Sequence, residues 1–327
     1  MRAVAVPLAC GNTVILKASE SCPATHRLIG SVLREAGLGD GVVNVLTNAP
    51  TDAPAIVEAL IGHSAVRRVN FTGSTRAGRI VAEMAARQLK PAVFELGGKA
   101  ALVILKDADL DQAVNAAAFG AFANSGQICM STDRIIVDKA IADEFVAKFV
   151  AKVKGLPCGD PAQGEVVLAS VISQQAADHV CRLIEAAVAK GAKLVLDGTT
   201  RGTILPAAIV DHVTPDMEMF REESFGPSVS ITRVDGVEEA IRVANDTEYG
   251  LSAAVHSRDI AQAIEVARRI QSGICHLNGP AVHDEAQMPF GGVKASGYGR
   301  FGGQAAIREF TDLRWITMQT TPRAYPF

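Results

Sequence analysis

A thiol flanked by small uncharged residues is the part of this 327-residue chain best suited to covalent chemistry. Cys129 lies in the stretch Asn124-Ser125-Gly126-Gln127-Ile128-Cys129-Met130-Ser131. Gly126 permits a tight turn and close approach of a ligand, and a thiolate is a strong nucleophile toward a carbonyl carbon. The same residues suit a structural cysteine beside a turn, so local composition leaves both readings open. Glu95 ends the apolar run Ala92-Val93-Phe94 and is followed by Leu96-Gly97-Gly98. A carboxylate in apolar surroundings has its charged form disfavoured, which suits a general base or acid near neutral pH. A solvent-facing glutamate at a strand end is the alternative.

Other segments suit a phosphate-bearing ligand. Gly73-Ser74-Thr75-Arg76-Ala77-Gly78 is glycine-rich and leads from a strand pattern into a helix pattern, where backbone N–H groups favour phosphate. It is not the G-x-G-x-x-G fingerprint, so it is a weak signal by itself. Lys17 and Glu20 follow another strand pattern. The lysine suits a phosphate or ribose, and the glutamate suits ribose hydroxyls while opposing a 2′-phosphate. An ordinary charged loop accounts for them equally well. Glu222-Glu223-Ser224-Phe225-Gly226-Pro227 joins carboxylates, an aromatic ring and a rigid turn. The segment from Pro289 to Arg300 carries Gly291, Gly292, Gly297 and Gly299, the composition of a loop that lines a site or merely covers a surface. The histidines, His276 and His283 among them, lack metal-ligand spacing, and no metal is expected.

Elements that position these residues follow from periodicity. Strand patterns at Thr13–Leu16, Val42–Leu46, Val66–Phe71 and Ala92–Leu96 alternate with helix patterns at Pro23–Ala36, Pro54–Ile61 and Arg76–Leu89. That rhythm predicts a parallel sheet with helices on both faces, its ligands beyond the carboxyl ends of the strands. Lys17, Gly73-Ser74 and Glu95 all fall at such ends. A longer rhythm follows, with helices at Leu110–Ala123, Ile141–Lys154, Gln174–Lys190, Val237–Ala244 and Ile260–Ile270. Strands are expected at Arg134–Val137, Val229–Ile231, Ser252–Val255 and Ile274–Leu277, and a domain boundary near Leu96–Lys99. Asp312–Thr320, with the only tryptophan, Trp315, reads as one last strand, either an internal edge or a partner for another subunit's sheet.

Composition excludes several classes. With 48% apolar and 20% charged residues the chain can bury a sizeable core. A net charge of −3, no long basic run and 5% aromatics give no footing for nucleic acid. The six cysteines are scattered without a Cys-x-x-Cys pair, which suits buried apolar residues in a reducing compartment. No apolar run reaches the roughly 18–20 residues of a membrane span. The start, Met1 to Cys10, is too short for a secretion signal and is interrupted by Pro7. A cytoplasmic protein without membrane or nucleic-acid partners is expected.

In their order and spacing these pieces resemble the aldehyde dehydrogenase family, nearly from end to end. Lys17-Ala18-Ser19-Glu20 resembles the family's Lys-Pro-Ser-Glu element, and Phe71-Thr72-Gly73-Ser74 its cofactor loop. Glu95-Leu96-Gly97-Gly98-Lys99 resembles the general-base motif and Gly126-Gln127-Ile128-Cys129 the nucleophile motif. Glu222-Glu223-Ser224-Phe225-Gly226-Pro227 resembles the element whose second glutamate, here Glu223, holds the nicotinamide ribose. Gln127 to Ser131, Asn278 to Phe290 and the ending Tyr325-Pro326-Phe327 are similar to the salicylaldehyde, vanillin and benzaldehyde dehydrogenases of the family.

The resemblance implies an α/β fold. Residues 1–97 would be a Rossmann-type parallel-sheet NAD-binding domain, incomplete at its N-terminus, and 98–302 an α/β catalytic domain. Residues 303–327 would be a C-terminal helix/strand tail in subunit contact, within a homo-oligomer, dimer or tetramer. It implies NAD-dependent oxidation of a small aldehyde, most simply an aromatic one, with NADP the lesser cofactor. Cys129 and Glu95 would be catalytic. Lys17, Glu20, Gly73, Ser74, Leu96, Gly97, Glu223 and Phe225 would bind cofactor. Family chains carry a Pro-Trp-Asn element upstream of the position of Met1, and its asparagine is an oxyanion donor. Asn12 belongs to the later Cys10-Gly11-Asn12-Thr13 stretch and is not its counterpart. Loss of one such donor costs about 10²–10³ in turnover, so weak or no activity is expected of this chain alone. A fold-retaining binding or structural protein and an NAD-independent cysteine esterase are the competing readings.

Overall fold

The computed structural model describes residues 2–327, which form two compact units. One comprises the chain up to Ile56 with Ala286–Pro289 and Phe301–Phe327, and the other Val57–Glu285 with Phe290–Arg300.

In the first unit, α1 (Arg2–Ala9) leads to β1 (Val14–Lys17), α2 (Pro23–Glu35) and β2 (Val43–Leu46). Strands β1 and β2 pair in parallel, with Lys17 opposite Leu46 at their carboxyl ends. Pro23 opens α2, where its missing N–H would have no partner anyway. The apolar start is a short helix that buries Val4 and Pro7. The residues that flank the chain's last helix, Gly303–Glu309, hold α1 in place: the Arg2 guanidinium lies over the Phe301 ring, and Asn12 just beyond α1 donates to the Phe310 carbonyl. Helix α3 (Ala53–Gly62) runs on into the second unit.

The second unit begins with β3 (Val69–Thr72), α4 (Thr75–Arg87) and β4 (Ala92–Glu95), the two strands parallel and Thr72 opposite Glu95. Then follow β5 (Ala100–Ile104), α5 (Leu110–Phe122), β6 (Thr132–Asp138), α6 (Ala142–Val153) and α7 (Gln174–Ala189). After them come β7 (Lys193–Leu196), β8 (Ala208–Asp211), α8 (Glu218–Arg221), β9 (Ser228–Val234) and α9 (Gly236–Asn245). The remaining elements are β10 (Ser252–His256), α10 (Ile260–Arg269) and β11 (Ile274–Leu277). Seven of these strands form one sheet in the order β11-β10-β5-β6-β9-β8-β7, and only β7 runs antiparallel to its neighbour. Successive side chains of a strand face opposite ways. Leu102 and Ile104 of β5 therefore join the core under α5 and α6, with Phe122, Phe145 and Phe149. Ala101 and Val103 join the opposite core with Leu183, Ile241 and Val266. All five residues of β5 are buried, as expected of a strand covered on both faces.

The expected alternation is present, with differences. The four strands before Gly97 make two parallel pairs, β1–β2 and β3–β4, each in its own unit, instead of one hydrogen-bonded sheet. Strands β5, β7 and β8 fall in segments without a distinct expectation. The strand expected at Asp312–Thr320 is absent: the segment has no strand hydrogen bonding, and Leu313 and Trp315 are 102% and 90% exposed. A strand needs a neighbouring strand to pair with and a buried face for its apolar residues; no described strand pairs with this segment, and its large apolar side chains are exposed. No helix among the described residues is long and apolar enough to cross a membrane. Among the described residues no group of three or more His, Cys, Asp or Glu side chains is placed to hold a metal ion.

Candidate active site

Three loops at the carboxyl or entry ends of strands converge in the second unit. Glu95 is the last residue of β4 and is 5% exposed. Its backbone is held on both sides: its carbonyl accepts from Gly73 N–H at 3.1 Å, and Leu96 N–H donates to the Ser296 carbonyl at 3.1 Å. Phe94 N–H donates to the Tyr298 carbonyl, so the stretch Ser296–Tyr298 runs along β4 as a backing strip. Buried Ser296 donates through its hydroxyl to the Gly97 carbonyl at 2.6 Å and accepts from Gly250 N–H at 3.0 Å. Leu96 turns its side chain into a small core with Ile61, Val81 and Phe94, against Gly78 of α4. What it presents beyond that core is backbone.

Cys129 follows a left-handed turn. Asn124, Ser125 and Gly126 have φ of 52°, 57° and 71°. Such conformations cost about 1–3 kcal/mol for a non-glycine residue and persist only where the surroundings fix them. The Ser125 hydroxyl accepts from Ala169 N–H at 2.9 Å, and the Gln127 carboxamide oxygen accepts from Ile172 N–H at 2.8 Å. The turn is thus pinned on the segment before α7. A Cβ on Gly126 would lie 2.1 Å from the Gly226 carbonyl oxygen, so the thiol loop rests directly on the backbone of the Glu223 loop. Cys129 forms no disulfide and is partly accessible.

Glu223 joins the two. Its Oε1 accepts from Gly98 N–H at 2.7 Å. A Cβ on Gly98 would fall 2.2 Å from the Cys129 carbonyl oxygen. The dipeptide Gly97-Gly98 after Glu95 therefore touches Glu223 with its amide and Cys129 with its Cα. Burial pushes the Glu223 carboxyl up to about 7, opposed by the Gly98 hydrogen bond, with Asp133 and Glu95 raising it and Lys99 lowering it. Phe225 takes φ of 48°, is 40% exposed, and follows buried Ser224. The reversal at that position lets a buried and an exposed residue stand side by side.

The expected cofactor residues are placed as follows. Gly73 and Ser74 are exposed at the end of β3, and Ser74 caps α4 by accepting from Ala77 N–H at 3.3 Å. The first turn of α4 carries no acidic residue to compete with a phosphate. In the other unit, Lys17 and Glu20 form an ion pair, and Asn48 donates to Glu20 Oε1 at 3.0 Å. The Lys17 and Asn48 hydrogen bonds hold the Glu20 carboxyl down at about 2, so it is charged at neutral pH.

Sequence reasoning missed Gly98, Asp133, Arg134, Asn48 and Ser296. Arg134 is 1% exposed and donates to the carbonyls of Lys99, Val243 and Ala244 at 3.2, 3.0 and 2.9 Å, capping the end of α9. A charged pair Asp133-Arg134 directly ahead of the apolar run Ile135-Ile136-Val137 was the available signal.

The aldehyde dehydrogenase family model matches residues 1–316. The chain is 62% identical over 325 residues to a vanillin dehydrogenase of Pseudomonas fluorescens, covering 99% of this chain and 67% of that one. It is 40% identical to a benzaldehyde dehydrogenase [NAD(+)] of Pseudomonas putida, covering all of this chain and 67% of that one. The crystal structure of a salicylaldehyde dehydrogenase from Pseudomonas putida G7 complexed with salicylaldehyde superposes with a TM-score of 0.98 at 50% identity, over all of this chain and 68% of that one. This chain thus spans about two-thirds of the length of these relatives. With the family model spanning nearly its whole length and the same fold in a solved relative, the chain belongs to the aldehyde dehydrogenase family of oxidoreductases.

Proposed function

We propose that the chain oxidises an aromatic aldehyde to its carboxylic acid with NAD, through a covalent intermediate on Cys129 and water activation by Glu95. The observation that carries the reading is the meeting of three segments at Gly98, whose amide binds Glu223 and whose Cα rests on the Cys129 carbonyl. The aromatic class is favoured by the vanillin, benzaldehyde and salicylaldehyde dehydrogenases among the relatives.

Two features fit a dinucleotide. Asn48 Oδ1, beside the charged Glu20, is buried without a hydrogen-bond partner among the described residues. A ribose hydroxyl is a donor of the kind it lacks. A Cβ on Gly97 would fall 2.7 Å from Glu223 Oε2, so only glycine leaves that oxygen accessible to a second ribose. Glu20, with Lys17, would hold the adenosine ribose and disfavour a 2′-phosphate. Gly73 and Ser74 would face the pyrophosphate at the start of α4. Leu96 and Gly97 backbone, Glu223 and Phe225 would border the nicotinamide end.

In the reaction the Cys129 sulfur forms a bond to the aldehyde carbon, and the carbonyl oxygen becomes an oxyanion near the Cys129 backbone N–H. Bound NAD supplies the acceptor for the hydride that leaves this carbon. Cys129 then carries a thioester. Glu95 takes a proton from water, the water oxygen bonds to the acyl carbon, and the C–S bond breaks to release the acid and restore the thiolate. The exposed Leu313, Trp315, Ile316 and Met318 suit burial against further copies, so a dimer or tetramer belongs to the same reading. NADH absorbance with vanillin, salicylaldehyde and a straight-chain aldehyde tests the proposal. Turnover with the aromatic aldehydes, weak in this chain alone as its sequence leads one to expect, should vanish in Cys129→Ala. Turnover unchanged in Cys129→Ala, or ester cleavage without NAD in place of oxidation, would overturn it.

A further inference from the structure

Two adjacent charges at the head of β6 are buried, Asp133 at 5% and Arg134 at 1% exposure. In an undisturbed strand they would face opposite ways. The β5–β6 pairing explains their placement: Ala100 is opposite Thr132 and Ala101 is opposite Arg134, so Asp133 is the extra residue of a bulge. Bulges re-aim side chains, often beside active sites.

The re-aimed carboxylate meets residues from two other segments. Asp133 Oδ1 pairs with Lys99 Nζ at 2.8 Å and accepts from the Ser224 hydroxyl at 2.8 Å, while Oδ2 accepts from Ser224 N–H at 2.8 Å. The Lys99 side chain is fully buried and its ammonium also reaches the Ser224 hydroxyl at 3.4 Å. Lys99 follows the Glu95-Leu96-Gly97-Gly98 turn, Asp133 follows the Cys129 loop, and Ser224 is next to Glu223. One carboxylate thus ties together the chain segments of the base, the nucleophile and Glu223. Buried ion pairs add little to stability over an apolar replacement, so stability alone is a weak reason for this one.

We propose that Asp133, with Lys99 and Ser224, is a positioning device for the active site, holding the Cys129 loop in register with Glu95 and Glu223. The device touches no reacting atom. The proposal rests on the roles given above to Cys129, Glu95 and Glu223, and its test includes a readout independent of turnover. Ser224→Ala removes one hydrogen bond to Asp133, and Ser224→Thr keeps the hydroxyl. Lys99→Met combined with Asp133→Asn removes both charges without stranding either.

Each variant would be compared with the wild-type chain by thermal melting, by the rate of Cys129 alkylation with iodoacetamide mapped by mass spectrometry, and by kcat and KM with vanillin and NAD. Small displacements of reacting groups cost as much as about 100-fold in rate. Ser224→Ala and the double variant are expected to melt cooperatively, to slow Cys129 alkylation more than about threefold, and to lower kcat more than vanillin KM changes. Ser224→Thr is expected to restore both rates. Alkylation within about threefold of wild type in Ser224→Ala would overturn the proposal, as would losses that follow melting temperature and are not restored by threonine. If the double variant does not fold, the Ser224 pair decides. If the wild-type chain shows no oxidation, the proposed function fails while the alkylation rates still decide this inference.

Discussion

Gly98 N–H donates to Glu223 Oε1 at 2.7 Å. The same glycine has room for no side chain, because the Cys129 carbonyl oxygen lies 2.2 Å from where its Cβ would be. Gly98→Ala must therefore push the Cys129 loop away or swing the Glu223 amide contact out of line. A fall in kcat of about 100-fold is expected, with the melting transition still cooperative. Steady-state kinetics beside circular dichroism checks this, and an alanine variant with near wild-type kcat would show that the contact is dispensable.

The raised Glu223 carboxyl gives a pH signature. Its usual value near 4.5 is moved to about 7 because burial disfavours the charge. A carboxylate accepts ribose hydroxyls better than a carboxylic acid. KM for NAD should therefore fall as pH rises through about 7, and Glu223→Gln should flatten that dependence. Linkage gives the matching stability effect. The folded state holds this proton more tightly than the unfolded chain, so the contribution is full below 4.5 and is lost as pH rises through about 7. Glu223→Gln should gain stability relative to wild type on going from about pH 5 to about pH 8, measured by urea unfolding.

Glu20 predicts cofactor choice. It is charged at neutral pH, its carboxyl held at about 2 by Lys17 and Asn48. A 2′-phosphate placed near it would meet a like charge, and Glu20→Ala would free Lys17 as a phosphate partner. The ratio of kcat/KM for NAD over NADP should fall about tenfold in Glu20→Ala, an electrostatic change of about 1.4 kcal/mol. An unchanged ratio would place cofactor discrimination elsewhere.

Arg134 predicts stability. Its guanidinium satisfies carbonyls of Lys99, Val243 and Ala244 while buried. Arg134→Met leaves those acceptors unpaired, at a cost on the order of 3 kcal/mol. Urea unfolding measures it, and a loss under about 1 kcal/mol would mean that the carbonyls find other partners.

Much of this was legible in the sequence. Cys129, Glu95 and Glu223 each sit in a short motif whose order is distinctive; Glu95 lies at the carboxyl end of β4 as the strand-end rule expects, while Cys129 and Glu223 lie in the loops that enter β6 and β9. Helices with amphipathic patterns, such as α7 and α10, were readable to within a residue or so. Strand β5 was not, because Ala100-Ala101-Leu102-Val103-Ile104 is uniformly apolar, and such a run has no period to separate buried strand from buried helix. The bulge at Asp133 was hidden for a related reason: register is a property of two strands, and only the pairing reveals which residue is extra. Gly98 stood inside the general-base motif, but its own contact was hidden, since the carbonyl that forbids a side chain there comes from a distant part of the chain. The Asp312–Thr320 segment shows the converse error. Its β-forming residues suggest a strand, but propensity without a partner edge does not make one.

The central claim, that Cys129 carries the acyl group and Glu95 releases it, is tested most directly by trapping. Glu95→Gln keeps the shape of the side chain and removes the base. Mixed with vanillin and NAD, it should give NADH in a single burst and then stall, and intact and peptide mass spectrometry should find the vanilloyl group on Cys129. Sustained turnover at the wild-type rate in Glu95→Gln, or a burst with no acyl group on Cys129, would contradict the account.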